Sequence, residues 1–320
     1  MPHPVLVAAA AIINDQQEVL ISKRPHDVDQ GGLWEFPGGK LAPYETGYQA
    51  LKREIHEELG ITLTRARPLL RINHAYPHKK ILLDVWKVES FQGEPWGREG
   101  QPVRWVKLDE LVNYSFPDAN KPIIQALTLP DEYVITGDCN DPDHALERLQ
   151  ELLTAGAKLI QLRQPTLSEE DFCLLAERFQ EACQAAGARL LLNAAPELLK
   201  KVDAAGIHLT GQRLMALKER PVGQDKLLAA SCHDPASIRQ AVKLDADFIT
   251  LSPVLPTTTH PEAAPLGWQR FKELVEYEAK MPVFALGGMR PSDRQRIFAL
   301  GGQGVAGISH FWDKDSRHPD

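Results

Sequence analysis

From Tyr133 onward the chain repeats one grammar eight times, a short apolar run followed by an amphipathic stretch. The runs fall at 133–136, 158–162, 189–192, 206–208, 227–231, 247–251, 282–286 and 304–308. Helices are expected after the first three, at 143–155, 168–187 and 195–201. Eight βα units in about 180 residues predict a compact (β/α)8 TIM barrel. A doubly wound open sheet is the rival, and eight units favour closure.

The preceding residues read differently. Residues 4–13 and 18–22 are expected strands joined by Asn14-Asp15-Gln16-Gln17, a hairpin signal. An Asp- and Gly-rich loop at 25–33 follows, then strands near 67–76, 80–89 and 103–106. A helix is expected from about Ala119 to Leu127. Strands mixed with two helices predict an α+β sandwich. Pro130, in a polar stretch after Thr128, marks the boundary. The expected domains are therefore 1–130 and 131–320.

Composition narrows the function classes. With 43% hydrophobic and 25% charged residues, the 320-residue chain reads as soluble and long enough for two cores. No run of about 18 apolar residues predicts a membrane span. The segment M-P-H-P-V-L-V-A-A-A-A-I-I-N lacks a basic start and alternates like a strand, so it does not read as a signal peptide. Cys139, Cys173, Cys183 and Cys232 form no C-x-x-C pair, which predicts reduced, buried thiols in a cytoplasmic protein. Of the net charge of −7, residues 1–130 carry −1 (15 basic, 16 acidic) and residues 131–320 carry −6 (21 basic, 27 acidic). Neither part has the basic stripe of a nucleic-acid binder, so a free nucleotide is a better partner than a polymer.

The strongest chemical signal lies between Gly39 and Ile61. A helix ending at Gly60 carries Glu54, Glu57 and Glu58 at i, i+3 and i+4. Three carboxylates on one face repel one another, and hard oxygen ligands favour Mg²⁺, with Mn²⁺ able to substitute. A plain solvated face is the competing reading for such a triplet alone. Here Gly39, Glu45, Arg53, Glu54, Ile55, Glu57, Glu58, Gly60 and Ile61 fill the pattern G-x5-E-x7-R-E-U-x-E-E-x-G-U, with U a bulky aliphatic residue.

That pattern is the Nudix box. With W-E-F-P-G-G-K before it, G-E-P-W-G-R-E-G-Q at 93–101 and F-P-D-A-N-K-P at 116–122, residues 3–128 resemble the MutT branch of Nudix hydrolases. The resemblance implies hydrolysis of 8-oxo-dGTP to the monophosphate and pyrophosphate, protecting DNA from oxidised guanine. It implies metal ligands at the Gly38 carbonyl, Glu54, Glu57, Glu58 and Glu99. Arg53 is expected to orient a carboxylate, with Glu45 as its partner. Glu54 is the family-guided general base and Glu99 the alternative. Arg24, Glu35, Phe36, Pro37 and Gly38 fall at nucleotide-contacting positions. Phe36 alone could equally be core. Asn120 matches the amide that reads the purine edge, and by itself could equally be a helix N-cap. Two positions depart from the pattern: Lys79 replaces an arginine that closes over the nucleotide, and Asp29 replaces a histidine.

Residues 133–312 resemble thiamine phosphate synthases and thiazole tautomerases. The stretches are Y-V-I-T, I-Q-L-R, L-N, G-I-H-L, S-C-H, S-P-V-L-P-T-T-T, A-L-G-G-M and G-V-A-G-I-S. Loops after the last two barrel strands commonly bind phosphate. Gly287, Gly288, Ile308 and Ser309 are therefore candidates, with hydroxyls from Thr257 and Thr259; tight turns are the alternative for the glycines. Gln161, Arg163 and Asn193 keep parts of the family pattern. The family's Q-x-R-E-K, however, ends Gln164-Pro165 here, its N-D pair is Asn193-Ala194, Arg213 stands where a second acidic ligand falls, and His260 replaces a lysine. His233 matches a proton-transferring histidine of the tautomerases, and could equally be structural. A thiazole phosphate-like molecule is the implied barrel ligand. The leading expectation is an 8-oxo-dGTP diphosphatase fused to a barrel without synthase activity. Hydrolysis of thiamine-pathway diphosphates beside a working barrel is the alternative, and a non-catalytic ligand sensor is the third.

Overall fold

A computed structural model describes residues 4–76, 78–138, 141–257 and 263–312. The chain forms two compact units: the first runs to Thr128, two residues before the expected boundary, and the second starts at Leu129, except that Phe298–Gly301 group with the first. The reason is packing. Leu129 is buried in the second unit's apolar core with Tyr133, Leu159 and Phe248. Gln303 Nε2 donates to the carbonyls of Leu129 and Pro130.

The first unit contains β1 (Val5–Ile12), β2 (Glu18–Lys23), β3 (Trp34–Glu35), β4 (Gly38–Lys40), α1 (Gly47–Leu59), β5 (Thr62–Tyr76), β6 (Lys79–Gln92), β7 (Val103–Lys107) and α2 (Lys121–Thr128). Its sheets run β4-β1-β6-β5 and β3-β2-β7. The alanine run of β1 is buried on both faces. Ala8, Ala10 and Ile12 pack with Leu51, Ile55 and Leu59 of α1. Ala9 and Ala11 belong to the other core, with Ile123 and Ala126 of α2. Period-two alternation thus gives each helix its own side of the strand.

The expected hairpin is a turn without a ladder. Gln17 N donates to Asn14 O at 3.0 Å, and Ile13 and Val19 form an isolated bridge. The strands then part into different sheets, and β1 pairs in parallel with β6 from Val5–Ile81 to Ile12–Val88. A turn signal is local, whereas burial of both β1 faces selects its partner. The helix expected from Ala119 starts at Lys121, after a 3-10 turn at Asp118–Asn120.

The second unit is a closed barrel of parallel neighbours: β8 (Glu132–Ile135), β9 (Leu159–Leu162), β10 (Arg189–Leu192), β11 (Gly206–Leu209), β12 (Leu227–Cys232), β13 (Phe248–Leu251), β14 (Val283–Ala285) and β15 (Gly304–Gly307). Its helices are α3 (Pro142–Thr154), α4 (Glu169–Ala185), α5 (Gly211–Ala216), α6 (Pro235–Lys243), α7 (Gly267–Tyr277), α8 (Arg294–Ala299) and α9 (Ser309–Trp312). The helix expected at 195–201 is a 3-10 turn, Pro196–Lys200. Tyr133, Phe248 and Phe284 fill the lower interior with ring centroids 5.2–5.7 Å apart. Toward the strands' C-terminal ends the buried interior becomes polar, with Gln161, His208 and Thr250. Barrel enzymes place their chemistry at that end.

Among the described cysteines, Cys183 and Cys232 are buried and Cys173 is half-buried. Burial pushes the Cys183 and Cys232 thiols up to about 12. The expectation for Cys139 lies outside the described residues. Among the described residues no helix is long and apolar enough to cross a membrane.

Candidate active sites

In the first unit α1 is fixed at both ends. Thr46 caps its start and exchanges hydrogen bonds with Gln49 in a capping box, and Gly60 closes its end in the left-handed conformation. One face buries Ala50, Leu51, Ile55 and Leu59. The other carries the box charges. Arg53 joins them: Nε and Nη2 donate to Glu45 at 2.8 Å each, and Nη1 donates to Glu54 at 2.8 Å and Glu57 at 3.1 Å. The Arg53 hydrogen bonds, helped by the Ala42 N–H, hold the Glu45 carboxyl down at about 2.

The β4 strand brings backbone against this acidic face. Gly38 has φ +146°, and a Cβ there would lie 2.1 Å from the Ala8 carbonyl oxygen. A Cβ on Gly39 would lie 2.2 Å from the Glu54 carboxyl carbon. Glycine at 38 thus lets β4 lie against β1, and glycine at 39 lets the Glu54 carboxylate approach the chain this closely. Gly38 N donates to Glu58 at 3.2 Å. Burial pushes Glu58 up to about 8, against that hydrogen bond, and the charges of Glu35, Glu99 and Glu54 add to the rise.

Glu99 reaches the cluster on a loop that caps the end of α1. Trp96 N and Arg98 N donate to the Leu59 and Glu58 carbonyls. The Arg98 guanidinium and Gln101 amide donate to the carbonyls of His56 and Glu58. Orphan helix carbonyls thereby position a distant carboxylate. Sequence reading missed this role of Arg98 and Gln101. Both lie in the G-E-P-W-G-R-E-G-Q stretch, but nothing local reveals their partners.

A cavity of about 410 Å³ adjoins the cluster and brings together Arg24, Glu35, Phe36, Gly38, Glu58, Lys79 and Asn120. Glu45, Arg53, Glu54, Glu57, Glu99 and Pro37 are not among its lining residues. Arg24 binds the Glu35 carboxylate and the Asp29 carbonyl. Burial raises Glu35, opposed by Arg24. Phe36 serves the core as well as the cavity wall: it is 4% exposed and stacks on Phe116 at 5.7 Å. Pro37 accepts from Ala10 N at 2.8 Å. Asn120 is 8% exposed, in the turn before α2. The two departures from the family pattern meet each other: Lys79 Nζ lies 2.6 Å from Asp29 Oδ2.

The barrel's open end holds a cavity of about 440 Å³ lined by Gln161, Arg163, Asn193, His233, Thr257, Gly287 and Ile308, together with His208, Thr210 and Ser231. A hydrogen-bond chain runs along its floor. Asn193 Nδ2 donates to Gln161 Oε1 at 2.9 Å, and Gln161 Nε2 donates to Tyr133 Oη at 3.0 Å. The tyrosine proton then goes to His208 Nδ1 at 3.1 Å, and His208 Nε2–H donates to Ser231 Oγ at 2.8 Å. The reverse order would strand the Tyr133 proton between Phe248 and Phe284. Burial pushes His208 down to about 3, so the ring is neutral. The Ser231 proton is left for the cavity.

His233 Nδ1–H donates to the Ser252 carbonyl at 2.8 Å, leaving Nε2 as an acceptor. Gly287 and Gly288 turn with φ +90° and +66°. Ser309 opens the short α9. Gly288 and Ser309 are not among the lining residues of this cavity, and Thr259 lies outside the described residues. Tyr133, His208 and Ser231 were not singled out from sequence, although each lies in a quoted stretch.

The Nudix domain family matches residues 8–126, and the thiamine monophosphate synthase family matches residues 132–311. The first region is 40% identical over 121 residues to an 8-oxo-dGTP diphosphatase of Escherichia coli, covering 38% of this chain and 94% of that protein. The chain belongs to both families, one in each unit. The Nudix unit is also 36% identical over 122 residues to a CTP pyrophosphohydrolase of Escherichia coli, covering 38% of this chain and 90% of that one. The barrel is 29% identical over 165 residues to a thiamine-phosphate synthase of Syntrophomonas wolfei, covering 51% of this chain and 79% of that one. A solved structure of thiamine phosphate pyrophosphorylase from Pyrococcus furiosus shares its fold, with TM-score 0.50 and 23% identity over 62% of this chain and 92% of that one.

The Nudix site fits a hard divalent ion. Among the described residues no three acidic or imidazole side chains already converge on one point. The available donors are nonetheless all oxygen, as Mg²⁺ requires. Glu58 is raised first by burial and further by the charges of Glu35, Glu99 and Glu54, and a bound cation would offset both. Among the described residues no Asp or Glu lines the barrel cavity, so those residues do not fit one.

Proposed function

We propose that the Nudix unit hydrolyses oxidised purine nucleoside triphosphates, 8-oxo-dGTP foremost, to the monophosphate and pyrophosphate. The observation that carries this reading is the acidic face of α1 beside a cavity containing both Arg24 and Asn120. The 40% identity to an 8-oxo-dGTP diphosphatase supports the substrate.

In this reading Glu54, Glu57, Glu58, Glu99 and the Gly38 carbonyl hold Mg²⁺, or Mn²⁺ in its place. The ion neutralises polyphosphate charge and lowers the proton affinity of water. Arg53 fixes Glu54 and Glu57 through its shared guanidinium and anchors itself on Glu45. Glu54 or Glu99 accepts the proton of the attacking water. Asn120 supplies one donor and one acceptor to the purine edge, and Phe36 and Glu35 wall the base. The product pair avoids damage to DNA by removing the oxidised precursor, in the cytoplasm, without contact with nucleic acid.

The relative named for CTP supports a second substrate reading, a pyrimidine triphosphate. Rates for 8-oxo-dGTP, dGTP and CTP with Mg²⁺ decide between them. A specificity ratio of at least about 100 for 8-oxo-dGTP over dGTP is expected, a discrimination worth roughly 3 kcal/mol. Equal rates, or a CTP preference, overturn the assignment. With no carboxylate among the described residues lining its cavity, the barrel is read as devoid of synthase turnover. Formation of thiamine phosphate by the purified chain would refute that.

A further inference from the structure

Two cavities meet at the barrel's open end and share Arg163, Asn193 and Thr210. The inner one measures about 440 Å³ and the outer about 510 Å³. The outer wall carries two guanidinium groups, Arg163 and Arg213. Among the described residues no carboxylate lines either cavity.

The charges are poorly compensated. Arg163 Nη1 has one ion pair, 3.2 Å from Asp138, which is itself 65% exposed. That contact leaves most of the Arg163 donor fork free for another oxygen ligand. Arg213 is half-buried on α5, and only its backbone N–H is tied locally, to Thr210 Oγ1 at 3.3 Å. Among the described residues the Arg213 guanidinium has no ion pair. Two cations facing one cavity repel each other until an anion enters. Planar N–H forks match the oxygens of a phosphoryl group, and the same wall offers nothing to a divalent cation.

We propose that the barrel binds a phosphoryl anion at Arg163 and Arg213 without a divalent ion. This site is separate from the Nudix chemistry and survives if that substrate assignment fails.

Calorimetric titration of the full chain with sodium pyrophosphate in EDTA tests it. Without metal the Nudix face is a group of carboxylates that repels the probe, so saturable heat reports the barrel. Binding at one site per chain, tighter than about 1 mM, is expected. Arg213→Ala and Arg163→Ala should each weaken it at least about tenfold, the effect of losing a charge-assisted contact of roughly 1.4 kcal/mol. Arg213→Lys should recover part of the loss, because the charge returns without the fork. Arg239→Ala, on the exposed surface of α6, should change nothing. Circular dichroism of each variant reports folding. No saturable binding in EDTA, an unchanged affinity in Arg213→Ala, or an equal loss in Arg239→Ala overturns the proposal.

Discussion

In the Nudix unit the candidate site consists of full charges crowded on one helix and its neighbouring loops. On the barrel floor it consists of neutral groups from Tyr133, Gln161, Asn193, His208 and Ser231, carried by β8 to β12 and the turn after β10. The first arrangement crowds carboxylates together, with Glu58 raised by burial first and by its acidic neighbours second, and is suited to a cation. The second is a chain of neutral groups in which each hydrogen bond orders the next, ending at Ser231, whose proton faces the cavity. The same length of chain thus holds one site organised by Coulomb forces and one by hydrogen-bond order.

The largest expected effect tests the charged side of that contrast. Glu57→Gln and Glu58→Gln each remove one anionic oxygen donor while keeping size and helix propensity. Nucleotide turnover should fall on the order of 100- to 1000-fold with a folded domain. Pyrophosphate binding by the barrel should be unaffected. Near-native turnover in both variants would show that these carboxylates are only a solvated helix face.

The neutral side is tested by Tyr133→Phe. Deleting one hydroxyl leaves Gln161 Nε2 and His208 Nδ1 without their partner in a buried site. Each orphaned group costs roughly 1–3 kcal/mol, so urea unfolding should show a loss of about 2 kcal/mol or more. Nudix turnover should not change. A loss below about 0.5 kcal/mol would mean that water replaces the hydroxyl and the chain has no fixed order.

How much of this could be read beforehand follows the same divide. All eight barrel strands were legible because each is a short apolar run bounded by polar residues. Helical spacing was enough to put Glu54, Glu57 and Glu58 on one face, whereas Arg53 and its Glu45 partner were legible only through the box pattern. The separation of β1 from β2 was not, since sheet partnership depends on what covers each face of β1. The Tyr133–His208 contact joins residues 75 apart in sequence, and no periodicity encodes it. Nor does any local pattern reveal that Arg98 and Gln101 answer the free carbonyls of α1. The Lys79–Asp29 pair was visible as two separate departures, while their contact needed the fold.

The protonation of His208 gives a smaller and signed effect. Its folded value, near 3, lies below the ordinary 6.5 because burial disfavours the imidazolium. The unfolded chain therefore takes up the proton first as pH falls. Stability from the neutral ring is complete above pH 6.5 and is lost progressively toward pH 3. Each unit within that window costs about 1.4 kcal/mol from this group alone. The barrel's unfolding midpoint should drop between pH 6.5 and 5. Glu45, held near 2 by Arg53, sets a lower window, with its contribution lost only below about pH 4.5. A barrel midpoint that is flat from pH 7 to 5 would contradict the neutral-relay assignment.

The smallest effect concerns a balanced pair beside the charged site. Lys79 and Asp29 are 42% and 59% exposed. Such an exposed pair is screened by water and contributes little to stability, so Asp29→Ala should barely move the unfolding midpoint. Its effect belongs to binding. Removing the carboxylate deletes a negative charge from the cavity wall and releases the lysine toward a polyphosphate. KM for the nucleotide should fall about two- to threefold at low ionic strength with kcat unchanged, and the gain should shrink in salt as screening increases. A raised KM would mean that Asp29 itself contacts the nucleotide, and that the acidic replacement contributes binding rather than merely balancing Lys79.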